Sequence, residues 1–183
     1  MATPLDSITD GHEFQRIVAE YFRCLREEQH DYHIADVQVQ ANGVGADDGC
    51  DILVEFYFED AITRHSWRWV IECKCWNRAI GPNDINIGRI SSIMKANNAN
   101  GYLLVCKNDA TASLIRDFQR FHQNGTEEKY MIWNGTQVWR KFAERVGILK
   151  AYFPDYYKEK LVDTNDEINY EELFEEFKKK LEK

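Results

Sequence analysis

The sequence predicts an α/β fold, an α+β sandwich in which helices flank a central mixed sheet. Three consecutive segments alternate apolar and polar residues and are joined by short connections, which predicts an antiparallel meander. A strand–helix–strand unit follows, and it predicts a parallel crossover strand with a right-handed connection. Helical periodicity before the meander and after the crossover supplies the flanking helices.

The elements can be placed in chain order from these patterns. Helices are predicted over residues 9–29, from the Gly81-Pro82-Asn83-Asp84 segment onward, and over residues 109–122 and 136–146, the last ended by Gly147. Strands are predicted over residues 33–40, 51–58, 67–75, 101–106 and 129–133. The continuous apolar run from Gly101 to Cys106 indicates a strand that is buried on both faces and parallel to its predecessor.

The character of the chain changes near residue 150. We expect residues 1–150 to form the core domain and residues 151–183 to lie outside it. Within this tail, residues 156–165 look like a linker and residues 166–183 like an amphipathic helix. That helix can dock on the core, pair with a partner or lead into a further domain.

Charge is distributed unevenly along the chain. A net charge of −8 argues against a non-specific nucleic-acid binder, because such proteins are usually basic. Between residues 64 and 95, however, six basic residues stand against two acidic ones, so this stretch could meet phosphate. The five irregularly spaced cysteines, with no visible signal peptide and no apolar run long enough for a bilayer, predict a reduced cytoplasmic protein without a membrane partner.

Acidic and basic residues come together where two neighbouring predicted strands meet. Asp51 begins one strand, while Glu72 and Lys74 share one face of the next, opposite the tryptophans and cysteines. Because paired strands lie about 4.8 Å apart, Asp51 can sit beside Glu72 if the register of the hairpin allows it. Two carboxylates make an oxygen-rich site suited to Mg²⁺, and the Lys74 ammonium could stabilise charge on a phosphate or polarise an attacking water. The pattern predicts phosphodiester hydrolysis.

These residues also carry a resemblance to a known family. Gly11-His-Glu-Phe-Gln15, Asp47-Asp-Gly-Cys-Asp51 and Glu72-Cys-Lys74 resemble the signature of PD-(D/E)xK nucleases, and more narrowly of Mrr-like restriction endonuclease domains, over roughly residues 9–140. The resemblance implies a restriction-endonuclease-like core that cleaves DNA as an endonuclease. It implies Asp51 and Glu72 as ligands of Mg²⁺, for which Mn²⁺ can substitute, and Lys74 as the catalytic lysine.

One position departs from the family pattern. Gln15 stands where the family carries an acid after the helix phenylalanine, and its amide oxygen can still hydrogen-bond a metal-bound water. Glu13 or Glu20 could replace that acid. Asp48 fits the strand motif but could simply brace the turn.

The segment that follows the predicted catalytic strand offers candidates for DNA contact. Trp76, Asn77 and Arg78 could touch the backbone or stack on a base, or could instead form a loop packed on the core. Arg89 and Lys107 are weaker phosphate candidates, and solvation at the surface is the favoured role for both.

Partners follow from the resemblance rather than from the residues. Mrr-like domains are commonly fused to sensor or ATPase modules in prokaryotic restriction and anti-phage defence systems, which implies an effector role here. Cutting both DNA strands usually needs two sites, so a homodimer or higher oligomer is expected. The competing hypothesis is a non-catalytic nuclease-like module that binds nucleic acid or a protein partner, with Gln15 as a mark of a decayed site. RNA as the substrate also stays open.

Overall fold

The chain folds into helices and strands that follow the predicted order. The computed structural model describes residues 4–27, 34–41, 49–123 and 127–167. Its helices are α1 Gly11–Glu27, α2 Ile90–Ala96, α3 Ala112–Gln123, α4 Gly135–Ala143, α5 Val146–Tyr152 and α6 Pro154–Glu167. Its strands are β1 Ile34–Ala41, β2 Ile52–Glu59, β3 Arg64–Lys74, β4 Gly101–Cys106 and β5 Lys129–Trp133. Short 3₁₀ turns form at Pro4–Ser7, Pro82–Asp84 and Ile87–Arg89.

The strands form one mixed sheet in the spatial order β1-β2-β3-β4-β5. Strands β1, β2 and β3 are antiparallel neighbours, and β4 and β5 then join parallel to β3. The predicted meander with a parallel crossover is therefore confirmed, as is the α+β sandwich. In the β2–β3 hairpin Ile52 pairs with Ile71, a register that brings Asp51, the residue before β2, level with Glu72.

Helices cover the two faces of the sheet with separate apolar cores. Helices α1, α4 and α5 pack on one face, around side chains that include Phe14, Ile71 and Phe142. Helices α2 and α3 pack on the other face, around side chains that include Val70 and Tyr102. Complete burial of one such aliphatic or aromatic side chain contributes about 1.5–3 kcal/mol. Because neighbouring residues of a strand face opposite sides, Glu72 and Lys74 share the α2/α3 side with Val70.

The helix predicted to begin at Gly81 is wrong in its extent. Two 3₁₀ turns occupy this segment, and the α-helix begins only at Ile90. Asn83, Asn86 and Gly88 favour turns over helix, and the Asp84 carboxylate closes the first turn by accepting the Gly81 amide at 2.7 Å. The apolar residues predicted for its inner side, Ile85, Ile90, Ile93 and Met94, are nevertheless buried.

The helix predicted over residues 136–146 is divided in two. Helix α4 ends at Ala143, and Arg145 adopts an extended backbone conformation before α5 begins at Val146. Gly147 therefore lies inside α5 instead of ending a helix. Ile148 and Leu149 of α5 are buried in the core on the α1 side of the sheet.

The linker predicted over residues 156–165 is also wrong, because α6 runs from Pro154 to Glu167. Proline suits the first position of a helix, where its missing N–H has no partner to lose. The Tyr156 ring packs edge-on against Trp139 with ring centres 4.8 Å apart, so α6 is tied to the rest of the fold. The division of the chain into domains at residue 150 stays a prediction.

The predicted amphipathic C-terminal helix falls largely outside the described residues, which end at residue 167. Within the described ranges, no helix combines the length and apolar character needed to cross a membrane.

Candidate functional site

Asp51 is placed at the end of the sheet by the turn that leads into β2. Gly49 adopts a positive φ of 90°, a conformation that glycine accepts without strain. The Asp51 amide then donates to the Ile71 carbonyl at 3.0 Å, which extends the hairpin by one residue. The Asp51 carboxylate accepts the Cys73 amide through Oδ2 at 2.6 Å. The backbone amide and the side-chain carboxylate of Asp51 are thus both hydrogen-bonded to β3, beside Glu72.

Glu72 is held by both of its carboxylate oxygens although it is only 6% exposed. Oε1 lies 2.6 Å from Nζ of Lys74, two residues along the same strand. Oε2 accepts a hydrogen bond from the hydroxyl of Tyr102 on β4. Hydrogen bonds of this kind offset the cost of burying a charge.

Lys74 is the cation of this group. Its side chain is 22% exposed, so the ammonium reaches the boundary between the protein and solvent while it contacts Glu72. The same ammonium lies 5.9 Å from the centre of the Trp76 ring. Within the described residues that line the cavity at this site, no other side chain carries a positive charge.

Helix α1 closes the site from the other side of the sheet. Asp10 caps this helix by accepting the His12 amide at 3.0 Å, which fixes where the first turn begins. Gln15, one turn further on, makes a side-chain hydrogen bond to Asp51. A cavity of about 450 Å³ lies between α1 and the ends of β2 and β3, lined by Gly11, Gln15, Gly49, Asp51, Glu72, Cys73, Lys74, Cys75 and Trp76.

Burial and charge act on the titrating groups here. Burial raises the pKa of the Asp51 carboxyl above its ordinary value of 3.8, and the nearby charge of Glu72 raises it further. The Cys73 amide, Lys74 and Gln15 oppose that rise in pKa. Burial likewise raises the pKa of the Tyr102 hydroxyl well above its usual range, so that this group remains a hydrogen-bond donor. The site therefore combines two carboxylates that repel each other with one ammonium.

Carboxylate oxygens are the ligands that this site offers to a metal ion. Across the described parts of the chain, no cluster of three or more histidine, cysteine or acidic residues could hold an ion. Mg²⁺ commonly keeps several waters and binds through one or two carboxylates, which is the number that Asp51 and Glu72 supply. Each of their oxygens has two lone pairs, so an oxygen that accepts a hydrogen bond can still bind an ion. The donor set fits Mg²⁺ or Mn²⁺.

The structure brings together Asp51, Glu72, Lys74 and Gln15, but neither Glu13 nor Glu20 joins them. Glu20 pairs with Arg23 on the exposed side of α1, at 3.1 Å. Glu13 also does not line the cavity. Asp48 lies outside the described residues.

The loop after β3 has features of both roles predicted for it, contact with DNA and packing on the core. Trp76 lines the cavity and is 37% exposed. The Arg78 guanidinium lies 4.3 Å from the centre of that ring and forms a two-point ion pair with Asp84, at 2.7 and 2.8 Å. This pair holds the pKa of Asp84 down at about 2, with help from the Gly81 amide. Arg89 is exposed in a 3₁₀ turn and does not line the cavity.

Lys107 is not at the surface as predicted, since it is only 3% exposed. Its ammonium donates to the Ile8 carbonyl at 2.6 Å and to Oδ1 of Asn77 at 2.5 Å. The Asn77 amide is thereby engaged within the fold, which favours the packed-loop role for this residue. Lys107 also donates its backbone amide to the Lys74 carbonyl at 2.9 Å, so it ties the loop, the segment before α1 and the end of β3 together.

Tyr102 was not predicted from the sequence to be part of the site. Its signal was a single hydroxyl within an otherwise apolar strand, because a buried tyrosine usually finds a polar partner. Cys73 and Cys75 pack against the α1-side core, on the strand face opposite Glu72 and Lys74 as predicted. No disulfide joins the described cysteines. Burial raises the pKa of Cys106 to about 12.

The chain is similar, at low identity, to solved structures of restriction endonucleases. In a search of curated proteins, none matched. The solved structure of the DNA modification-dependent restriction endonuclease AspBHI is 13% identical, with a TM-score of 0.45 over 92% of this chain and 43% of that one. The MspJI restriction endonuclease in complex with a 27-mer oligonucleotide is 11% identical, with a TM-score of 0.47 over 85% of this chain and 32% of that one. This chain therefore spans less than half the length of either.

The family comparison covers most of the described fold. The family model Mrr_cat, described as restriction endonuclease, matches residues 6–132, a range that begins before α1 and ends in β5. It includes Gln15, Asp51, Glu72 and Lys74. The chain belongs to the Mrr_cat restriction endonuclease family.

Proposed function

We propose that this chain is a metal-dependent endonuclease that hydrolyses DNA phosphodiester bonds. The observation that carries the proposal is the meeting of Asp51, Glu72 and Lys74 in one open cavity. Membership of a restriction endonuclease family supports the same activity. The cavity is largely polar, which suits a phosphate and its hydration better than an apolar ligand.

Asp51 and Glu72 are the residues that would hold Mg²⁺ or Mn²⁺. Burial, and to a smaller extent repulsion by Glu72, raises the pKa of Asp51. A divalent cation bound between the two carboxylates would relieve that repulsion. When bound, the ion would supply a Lewis acid that activates water and stabilises charge on the phosphate. Gln15 orients Asp51 through its hydrogen bond, a role that needs no acid at this position.

Lys74 would provide the positive charge that the reaction needs from the protein itself. Its ammonium is 2.6 Å from Glu72 and partly exposed to the cavity, so it can donate a second hydrogen bond to a phosphate oxygen or to the attacking water. A fixed charge aimed at developing negative charge lowers the barrier, and removal of one such donor costs about 10²–10³-fold in rate.

The approach of DNA would be guided by the residues at the rim of the cavity. Trp76 offers a partly exposed aromatic surface beside Lys74, and stacking of a base on such a ring contributes about 1–3 kcal/mol. The Arg78 guanidinium lies over this ring, but its charge is paired with Asp84. We therefore expect Trp76 to contribute more to DNA binding than Arg78 or Arg89.

The wider role is part of the same proposal. We propose an effector of a prokaryotic restriction or anti-phage defence protein that acts in the cytoplasm, a reducing compartment that suits cysteines without disulfides. Its active form would be a homodimer or higher oligomer, since cleavage of both strands needs two sites. A fused or partner ATPase or sensor module would control it.

A plasmid-cleavage assay with Mg²⁺, Mn²⁺ or EDTA tests the activity. Wild type is compared with Lys74→Ala and Asp51→Asn, and with the matched surface controls Lys95→Ala and Asp117→Asn. Cleavage is expected only with metal, with a loss of at least about 10²-fold for the site variants and none for the controls. Metal-dependent cleavage that persists unchanged in both site variants would refute the assignment of the site.

Two further arms separate the alternatives. An RNA of the same sequence, offered under identical conditions, distinguishes an RNA-directed nuclease from one that acts on DNA. If the wild type binds DNA in a gel-shift assay but cleaves neither substrate in any metal, even when oligomerised through a fused dimerisation domain, the non-catalytic module is the better description.

A further inference from the structure

Glu72 depends on one residue that no motif includes. Its Oε1 is held by Lys74, which lies on the same strand, but its Oε2 is held by the hydroxyl of Tyr102, which lies on β4. Tyr102 is fully buried, and its register partner on β3 is Val70, two residues before Glu72. The Tyr102 hydroxyl thus reaches along the sheet, from a position level with Val70 to Glu72 near the end of β3.

The surroundings of Glu72 leave the carboxylate little freedom. A Cβ added at Gly49 would lie 3.3 Å from Oε2 and 3.0 Å from the Ile93 side chain. The Tyr102 ring, in turn, is packed against Phe118 with ring centres 6.1 Å apart. A rigid ring that presents one hydroxyl to one oxygen fixes the rotation of the carboxylate plane, whereas the flexible Lys74 side chain alone would not.

We propose that Tyr102 is a positioning residue, whose hydroxyl holds the Glu72 carboxylate in the orientation in which it and Asp51 can share a divalent ion. This inference rests on the function proposed above. Tyr102 does not touch the substrate or the ion. It acts through Glu72, as the hydrogen-bonding partners of metal ligands commonly do.

The fold provides a matched control for this residue. Tyr130 on β5 is the direct register neighbour of Tyr102, is also buried, and also donates its hydroxyl to a carboxylate, that of Glu128, at 2.5 Å. Glu128 does not line the cavity. Tyr102→Phe and Tyr130→Phe therefore remove the same group from the same sheet, and only the first is expected to affect the metal site.

The experiment is a calorimetric titration of the full chain with Mn²⁺ for wild type, Tyr102→Phe, Tyr130→Phe and Asp51→Ala. Removal of a residue that supports a metal ligand typically weakens metal affinity about 10–100-fold, and this is the loss expected for Tyr102→Phe. Tyr130→Phe should bind as wild type does. The Mn²⁺-induced rise in Tm ranks the same proteins and serves for a variant too unstable for calorimetry.

The outcomes separate this inference from the proposed function. If Asp51→Ala loses binding while Tyr102→Phe binds as tightly as Tyr130→Phe, the role of Tyr102 is wrong and the metal site stands. If wild type binds no Mn²⁺, or if Asp51→Ala binds as well as wild type, both the metal site and the role of Tyr102 are wrong. In the cleavage assay, the expected signature of Tyr102→Phe is a 10–100-fold higher half-saturating Mn²⁺ concentration.

Discussion

Replacement of Gly135 by alanine should destabilise the protein, although this glycine begins a helix. Gly135 is the first residue of α4, where Asn134 caps the helix by accepting the Gln137 amide at 3.0 Å. The α4 start is pressed against the chain that leaves β4, and a Cβ added at Gly135 would lie 2.2 Å from the Lys107 carbonyl oxygen. Because the obstacle is backbone, rotation of a side chain cannot relieve the clash.

The size of the effect follows from two opposing contributions. Overpacking of a buried site costs typically 1–3 kcal/mol and occasionally more, so backbone contact this short should cost about 3 kcal/mol. The better helix propensity of alanine returns up to about 1 kcal/mol. The net loss is about 2 kcal/mol in the free energy of unfolding, which lowers the Tm by roughly 4–8 °C for a chain of this length.

Gly147 provides the comparison. It also lies in the first turn of a helix, α5, but a Cβ added there would meet no atom within 4 Å. Gly147→Ala should therefore stabilise the fold by about 0.4–1 kcal/mol. Urea unfolding followed by circular dichroism measures both variants. A Gly135→Ala protein as stable as wild type would refute the close approach of α4 to the Lys107 backbone.

Three further predictions test other parts of the structure. Lys107→Met should lower the free energy of unfolding by about 1–3 kcal/mol, because the buried Ile8 carbonyl and the Asn77 side-chain oxygen lose their donor; unchanged urea unfolding would contradict this. The Arg78 hydrogen bonds lower the pKa of Asp84 to about 2, against an ordinary 3.8. The ionised Asp84 carboxylate therefore stabilises the fold above about pH 4, and this contribution is lost as the pH falls through 2. The difference in urea midpoint between wild type and Asp84→Asn should thus shrink from pH 6 to pH 2, and a constant difference would argue against the pair with Arg78. Cys106, with a pKa of about 12, should be about one part in ten thousand thiolate at pH 8 and should react with a disulfide reagent only after unfolding.

The fold was predictable wherever local pattern and tertiary packing agree. Strand β5 matches its predicted range from Lys129 to Trp133, and β4 matches from Gly101 to Cys106, because each is a short apolar run between clear turns. The segment after Gly81 was wrongly predicted to be helical from its start. Its buried isoleucines have helical spacing, but an Asp84 side chain that binds the Gly81 amide favours a 3₁₀ turn, and neither amphipathic spacing nor propensity reveals such a bond.

The residues of the candidate site could be predicted from the sequence, but the hydrogen bonds that hold them could not. Alternation along β3 places Glu72 and Lys74 on one face, and the hairpin register that the sequence left open brings Asp51 level with Glu72. The contacts of Tyr102 and Lys107 join residues that are 30 and 99 positions apart in the chain. No local pattern carries such information, because these contacts depend on which strands become neighbours.

These long-range contacts explain why the candidate site lies where antiparallel and parallel pairing meet. Strand β3 is the antiparallel partner of β2 and the parallel partner of β4, so its end receives Asp51 from one side and Tyr102 from the other. Lys107, which directly follows β4, then bonds the backbone of Lys74 and the segment before α1. A strand at the edge of the sheet would have a neighbour on one side alone, and could fix only half of these partners. The central position of β3 is therefore what allows a short Glu-x-Lys segment to become an ordered site.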